Sequence, residues 1–205
     1  MAVLVSKPAP FFNDSDKVFS AVLGDGNIVD DFSFKAATKG KYAVVFFYPL
    51  DFTFVFPSEI IAFNNRLEEF KKRNVELISV SVDSQFTHSA WRNTAVDAGG
   101  IGPVGFTMVA DIKREIIQAF DVESDGGVAF RGSFLIDKDG VVQHQVVNNL
   151  PVGRNVDEML RMIDALQFTE EHGEVCPAGW HKGEKGMKAD AAGVASYLAE
   201  EASKL

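Results

Sequence analysis

The stretch KYAVVFFYPLDFTFVFPSEIIAFNNRLEEFKKRNVELISVSVD, Lys41 to Asp83, decides the architecture. Lys41–Tyr48 is almost continuously apolar, the pattern of a strand covered on both faces. Pro57–Arg73 follows, with Ile60, Phe63, Leu67 and Phe70 at helical spacing. Its cations gather in the last turn, where they complement the helix dipole. Val75–Asp83 is a second strand, so the stretch reads as a βαβ unit.

The alternation continues outward. Ser84–Gly99 reads as a helix with Asp83 or Ser84 as its cap, Phe106–Asp111 as a strand, and Lys113–Asp121 as a short helix. Ser133–Val147 holds two strands around Asp139–Gly140, a strong hairpin signal. Val152–Gly173 is a helix with an apolar stripe through Val156, Met159, Leu160, Ile163 and Leu166. Upstream, Val18–Phe32 is another hairpin. The order of hairpin, βαβαβα, hairpin and helix predicts an α/β fold: a mixed sheet with helices on both faces. After Gly173 the texture changes. EVCPAGWHKGEKGMK (Glu174–Lys188) lacks a period and reads as a loop or extended arm, followed by a weak terminal helix over Ala189–Leu205. Such a tail cannot build its own core and needs something to dock on.

At 205 residues the chain has room for one sizeable core and an appendage. Apolar and charged fractions of 46% and 24% fit a water-soluble globular protein. A net charge of −9 argues against binding a phosphate backbone. No apolar run reaches the length of a membrane span, and MAVLVSKPAPFF has no signal-peptide pattern, so a cytoplasmic location is expected. Cys176 is the single cysteine, which excludes an intrachain disulfide and a thiolate metal cluster. The histidines, His88, His144, His172 and His181, show no metal-ligand spacing. GGIGPVG (Gly99–Gly105) formally contains a dinucleotide-binding glycine pattern, but it follows a helix, precedes a strand and includes Pro103, which is the wrong context.

The chemistry concentrates in YPLDFTFVFPSE, Tyr48–Glu59. Pro49 restricts the turn that leaves the strand, Thr53 brings a hydroxyl just before the helix, and Pro57 is tolerated in a first helical turn. The unpaired N–H groups of that turn and the helix dipole favour negative charge at position 56. A cysteine there would become a stabilised thiolate. Phe56 occupies the place instead. Taken alone, a phenylalanine in a chain with 18 of them is a core residue, but this setting is that of a reactive site.

YPLDFTFVFPSE resembles the signature of the peroxiredoxins, Pro-x-x-x-Thr-x-x-Cys, with Pro49 and Thr53 matching and Phe56 at the peroxidatic cysteine position. Glu59 matches the acidic residue that follows. AFRGSFLIDKDG aligns Arg131 with the family's active-site arginine, and LPVGRNVDEMLR supplies a second, Arg154. GEVCPAGW matches the resolving-cysteine segment of the typical two-cysteine class, that of alkyl hydroperoxide reductase C and the thiol-specific antioxidants, and gives Cys176 that role. DSQFTHSAW (Asp83–Trp91) resembles the segment through which such dimers stack into rings. The Gly100–Gly105 loop and Tyr197–Leu198 are similar to the Gly-Gly-Leu-Gly and Tyr-Phe elements of easily over-oxidised members, with Leu198 departing from the latter.

The resemblance implies a thioredoxin-like fold, with residues 1–168 as the catalytic domain and 169–205 as an arm carrying the resolving cysteine. It implies reduction of hydrogen peroxide and organic hydroperoxides with no metal or bound cofactor. A thiol reductant protein would serve as partner, either thioredoxin-like or a dedicated flavoprotein reductase, and homodimers would assemble into a ring, expected to be a decamer. No nucleic-acid or membrane partner is implied. Phe56 has no lone pair or ionisable proton, so this chain is expected to be inactive as a cysteine peroxidase. An oligomeric holdase or a thioredoxin-like interaction module are the alternatives. Overpacking by a phenyl ring costs about 1–3 kcal/mol, so Phe56 is expected to bias residues 52–58 towards an unwound first turn and to weaken the ring.

Overall fold

Phe19–Val22 (β1) and Ile28–Phe32 (β2) pair antiparallel as the expected N-terminal hairpin. A one-turn helix, Phe34–Ala37 (α1), follows; Ser33 caps it by accepting the Ala36 N–H. It is too short for periodicity to reveal. Tyr42–Phe47 (β3) is buried throughout, as its continuous apolar run requires. The chain then turns into Phe56–Asn65 (α2) and Leu67–Lys72 (α3). The single helix expected over 57–73 is thus broken at Arg66, whose backbone (φ −108°, ψ 9°) leaves the helical region.

Val75–Ser81 (β4) runs parallel to β3. Gln85–Asn93 (α4) is capped by Ser84, which accepts from the Thr87 N–H. Thr107–Ala110 (β5), Glu115–Ala119 (α5) and the hairpin of Arg131–Ile136 (β6) with Val142–Asn148 (β7) complete the sheet. Its order is β2-β1-β5-β4-β3-β6-β7, with the β3–β4 and β4–β5 pairs parallel and the rest antiparallel. This is the mixed, thioredoxin-like α/β sheet expected from the element order.

The computed structural model describes residues 2–14, 16–53 and 56–204, and the side chains of Phe56 and Lys204 lie outside that description. The chain forms two compact units, Met1–Val156 and Asp157–Leu205. In the first unit, the alternation of β3 sends Ala43, Val45 and Phe47 into one core layer with Phe34 of α1 and Ile116 and Ile117 of α5. Phe46 points to the opposite layer, where its ring stacks 4.0 Å from that of Phe63 on α2.

The second unit is built on Val156–His172 (α6), which begins where its apolar stripe does, four residues after the expected Val152, and Ala191–Glu201 (α7), capped by Asp190. Between them the Glu174–Lys188 segment folds back as a loop rather than extending. Val175 and Met187 exchange both backbone hydrogen bonds at 2.9 Å. Trp180 is buried against Phe168 and donates to the Glu184 carbonyl. Among the described residues, no helix is long and apolar enough to cross a membrane.

Candidate active site

The site is assembled around Glu59. This residue lies in the first turn of α2, one turn beyond Phe56 and therefore on the same helix face. Its carboxylate is buried and accepts from two arginines. Arg131, at the start of β6, donates from Nη1 to Oε2 at 2.6 Å. Arg154 donates from Nε to Oε1 at 2.9 Å and from Nη2 to Oε2 at 3.1 Å, while its backbone N–H reaches Oε1 at 2.8 Å.

Both guanidinium groups are held elsewhere as well. Arg131 places Nε and Nη2 on the Leu150 carbonyl. Arg154 Nη1 donates to the Gly132 carbonyl at 2.7 Å and the Ser133 hydroxyl at 3.1 Å. The rings of Phe46 and Phe63 lie beneath Arg154, 5.4 and 5.8 Å from its Cζ, a cation–π floor. Asn148 secures the connecting loop through the Val152 and Gly153 carbonyls.

Burial pushes the Glu59 carboxyl up, but the Arg154 hydrogen bonds and charge, reinforced by Arg131, outweigh it and hold it below the usual carboxylate range. Burial also pulls Arg154 down, and Glu59 opposes that pull. Two cations against one anion leave a net positive charge, with Arg131 and Glu59 only 1% and 5% exposed. Its location at a helix N-terminus suits an anion carried on the preceding turn of the same face. A thiolate at position 56 would supply that anion. A phenyl group cannot.

Residues 49–53 lead out of β3 towards α2. Pro49 is buried, Phe52 adopts a left-handed backbone (φ 55°), and the Thr53 hydroxyl donates to the Leu50 carbonyl at 2.8 Å. That bond directs the Thr53 proton inward and leaves the oxygen as an acceptor. Residues 56–58 are helical, so the expected unwinding is not met there. Glu59, in the same turn, is held from the side by two arginines. Residues 54 and 55 and the Phe56 side chain lie outside the described residues.

Glu59, Arg131 and Arg154 are therefore brought together, and Pro49 and Thr53 shape the adjoining turn. Cys176 belongs to the second unit, half-buried beside α6, with Sγ donating to the Ala165 carbonyl at 3.5 Å. The Gly99–Gly105 loop carries no dinucleotide-type strand–turn–helix. No cluster of three metal-ligating side chains occurs among the described residues. Sequence reading missed a buried polar group behind the turn, Tyr48, Asp51 and His88, with the half-buried Asp83 beside it. The only signal was the placement of His88 one helical turn before Trp91 on the inward face of α4.

A mixed sheet thus carries a cationic cradle at the head of α2, and comparison with known proteins gives the family. Residues 6–145 match the AhpC/TSA family, and residues 165–200 match the C-terminal domain of 1-Cys peroxiredoxin. Alkyl hydroperoxide reductase C of Helicobacter pylori is 52% identical over 203 residues, covering 99% of this chain and all of that protein. The same enzyme of Buchnera aphidicola is also 52% identical, covering 96% of both chains. The reduced 2-Cys peroxiredoxin of Plasmodium vivax superposes with a TM-score of 0.91 at 46% identity, covering 97% of this chain and all of that one. The chain belongs to the AhpC/TSA family of peroxiredoxins.

Proposed function

We propose that this chain is a typical two-cysteine peroxiredoxin whose reacting atom is missing: its scaffold serves hydroperoxide reduction, and Phe56 makes it inactive as a cysteine peroxidase. The observation that carries this reading is the pair of arginines converging on Glu59 one helical turn from Phe56. With cysteine at position 56, the cradle would hold a thiolate. Its sulfur would attack the terminal oxygen of a hydroperoxide, the O–O bond would break, and the leaving oxygen would take a proton and depart as water or an alcohol. Fixed cationic donors stabilise the charge growing on that oxygen, and Thr53 Oγ1 accepts the hydroperoxide O–H.

The resulting sulfenic acid would condense with Cys176 of a partner chain, releasing water and forming an intersubunit disulfide. A thiol reductant protein would reopen it by exchange. In this reading the chain works in a reducing, cytoplasmic setting and assembles as a homodimer within a ring, without metal or bound cofactor.

The test is peroxide consumption with a thiol reductant. This chain should show only background loss, and Phe56→Cys should turn over hydrogen peroxide and an organic hydroperoxide. Rapid turnover by the unaltered chain, or none by the folded Phe56→Cys variant, would overturn the proposal. A second reading, an oligomeric holdase, draws support from Phe52 and Phe86, which are 50% and 66% exposed. Suppressed aggregation of a heated client, independent of peroxide, would favour it.

A further inference from the structure

Behind the turn that bears Thr53 lies a second polar cluster, separate from Glu59 and its arginines. His88 is completely buried on α4, with Nδ1 2.7 Å from Asp51 Oδ2 and Nε2 3.3 Å from the Val109 carbonyl oxygen. A carbonyl oxygen and an ionised carboxylate only accept hydrogen bonds. With Asp51 ionised, a ring protonated on both nitrogens satisfies both contacts and a neutral ring does not; the one neutral arrangement that would satisfy them puts the proton on Asp51 and leaves a single N–H on the ring. The other Asp51 oxygen accepts from the Tyr48 hydroxyl at 2.8 Å. The Asp51 backbone N–H donates to Asp83 Oδ2 at 2.8 Å, which also accepts from the Ser81 hydroxyl at 2.7 Å.

Asp51 is thus the point at which the turn is tied to β3, the end of β4 and α4 together. The next residue, Phe52, takes a left-handed backbone that a non-glycine side chain adopts only when its surroundings impose it. The Phe52 ring packs 5.9 Å from that of Trp91, one turn beyond His88, and Tyr48 lies 6.0 Å from the same ring. Thr53 then closes the turn on Leu50.

We propose that His88 and Asp51 form a buried imidazolium–carboxylate pair whose role is to position the Pro49–Thr53 turn. They are positioning residues for the site, and the catalytic part of this inference rests on the peroxiredoxin reading above. The groups facing the pair are few. Tyr48 and Asp83 adjoin it, and β1 (FSAV) and β5 (TMVA) bring no ionisable side chain. On β2, Asp30 and Asp31 are exposed. On α4 itself, Arg92 is committed to the carbonyls of Leu23, Gly24 and Phe106. Burial first, and the Asp51 charge second, push Asp83 up and Tyr48 well up, which keeps Tyr48 a donor.

The pair is tested in the full chain labelled with ¹⁵N-histidine, between about pH 6 and pH 9. One resonance pair, lost in His88→Gln, should show protons on both ring nitrogens at neutral pH, and Asp51→Asn should remove one of them. A single N–H on His88 in the unaltered chain would overturn the ionic assignment. Positioning is read from amide hydrogen exchange: the Asp51 N–H should exchange roughly 10- to 100-fold faster in His88→Gln or the near-isosteric Asp51→Asn, with the β3 amides unchanged. Equal protection of Asp51 in either folded variant would sink the positioning role. In the Phe56→Cys background, His88→Gln should lower peroxide turnover by a similar factor, and unchanged turnover would remove the link to catalysis. If Phe56→Cys itself fails to consume peroxide, the functional reading falls, while resonance and exchange still judge the pair.

Discussion

Glu59 holds the site together at the scale of single residues, because it is the only carboxylate shared by Arg131 and Arg154 in the bonds described. Removing one member of a buried ion cluster leaves uncompensated charge and costs about 3–5 kcal/mol. Glu59→Gln should lose stability on that scale in urea unfolding. The pH dependence has a definite sign. The folded carboxyl lies below its ordinary value, so on acidification the unfolded chain binds the proton first. The contribution of Glu59 is complete above the unfolded value of about 4.3 and is lost as pH falls through the folded one. Asp83 and Asp111 are raised by burial and act in the opposite sense. The informative measurement is therefore the difference between the two chains, and the stability gap of Glu59→Gln should shrink in acid. Tyr48 provides an alkaline counterpart: its folded value is raised well above normal. Stability should fall as pH rises beyond about 10, the unfolded value, and the Tyr48 tyrosinate absorbance should appear only as the chain unfolds. In the Phe56→Cys background, Arg131→Lys loses the fork that spans Leu150 and Glu59 and should cut turnover about 10²- to 10³-fold.

Secondary structure was legible where a period or a long apolar run existed. β3, β4 and the hairpin at Gly140 fall where their patterns put them, because burial on one or both faces leaves a mark on every residue, whereas α4 ends at Asn93, six residues short of the expected Gly99. The break at Arg66 left none: Ile60, Phe63, Leu67 and Phe70 keep helical spacing across it, so the apolar face alone conceals the kink. The glycine loop before β5 lies between a helix and a strand, as the sequence predicts, but its packing was not visible. A Cβ on Gly100 would stand 1.9 Å from the Thr94 carbonyl oxygen, which is backbone and cannot swing aside. Gly100→Ala should therefore destabilise by about 1–3 kcal/mol, measured by thermal or urea unfolding. Gly99, whose added Cβ would meet nothing within 4 Å but whose φ is +85°, fails for a different reason, backbone strain. Ser84→Ala, which removes the α4 cap bond to Thr87, should cost about 1 kcal/mol.

The convergence of distant residues belongs to the whole molecule, and local pattern could not reveal it. Glu59 meets Arg131 and Arg154 across 72 and 95 residues of sequence. Only the family resemblance joined them, and the sheet order explains how, since β3, which leads into α2, lies beside β6. The buried His88 pair escaped because its one mark, the helical spacing of His88 and Trp91, does not say which polar group satisfies the ring in the core. The same sheet order makes a prediction about assembly. One edge strand, β2, exposes Asp30 and Asp31, charges that discourage edge-to-edge pairing. The other, β7, has seven residues and no lysine, arginine, aspartate, glutamate or proline. The N-terminal segment bonds by its backbone to the beginning of β7 and the turn before it, Ser6–Ala9 meeting Gly140 and Val142, while the Gln145 side chain accepts from the Leu4 N–H and donates to the Ala2 carbonyl. Beyond Val142, β7 ends the sheet among the described residues, with Val146 exposed at 36%. A strand of this length and composition invites a second copy of itself, which accords with the homodimer proposed above. Val146→Lys places a new charge from each copy within such an interface. It should weaken self-association at least about tenfold, or 1.4 kcal/mol, read by sedimentation over a dilution series. A lysine at Asp30, on the edge already blunted, should leave the association state unchanged, and equal effects at both edges would rule out β7 as the contact.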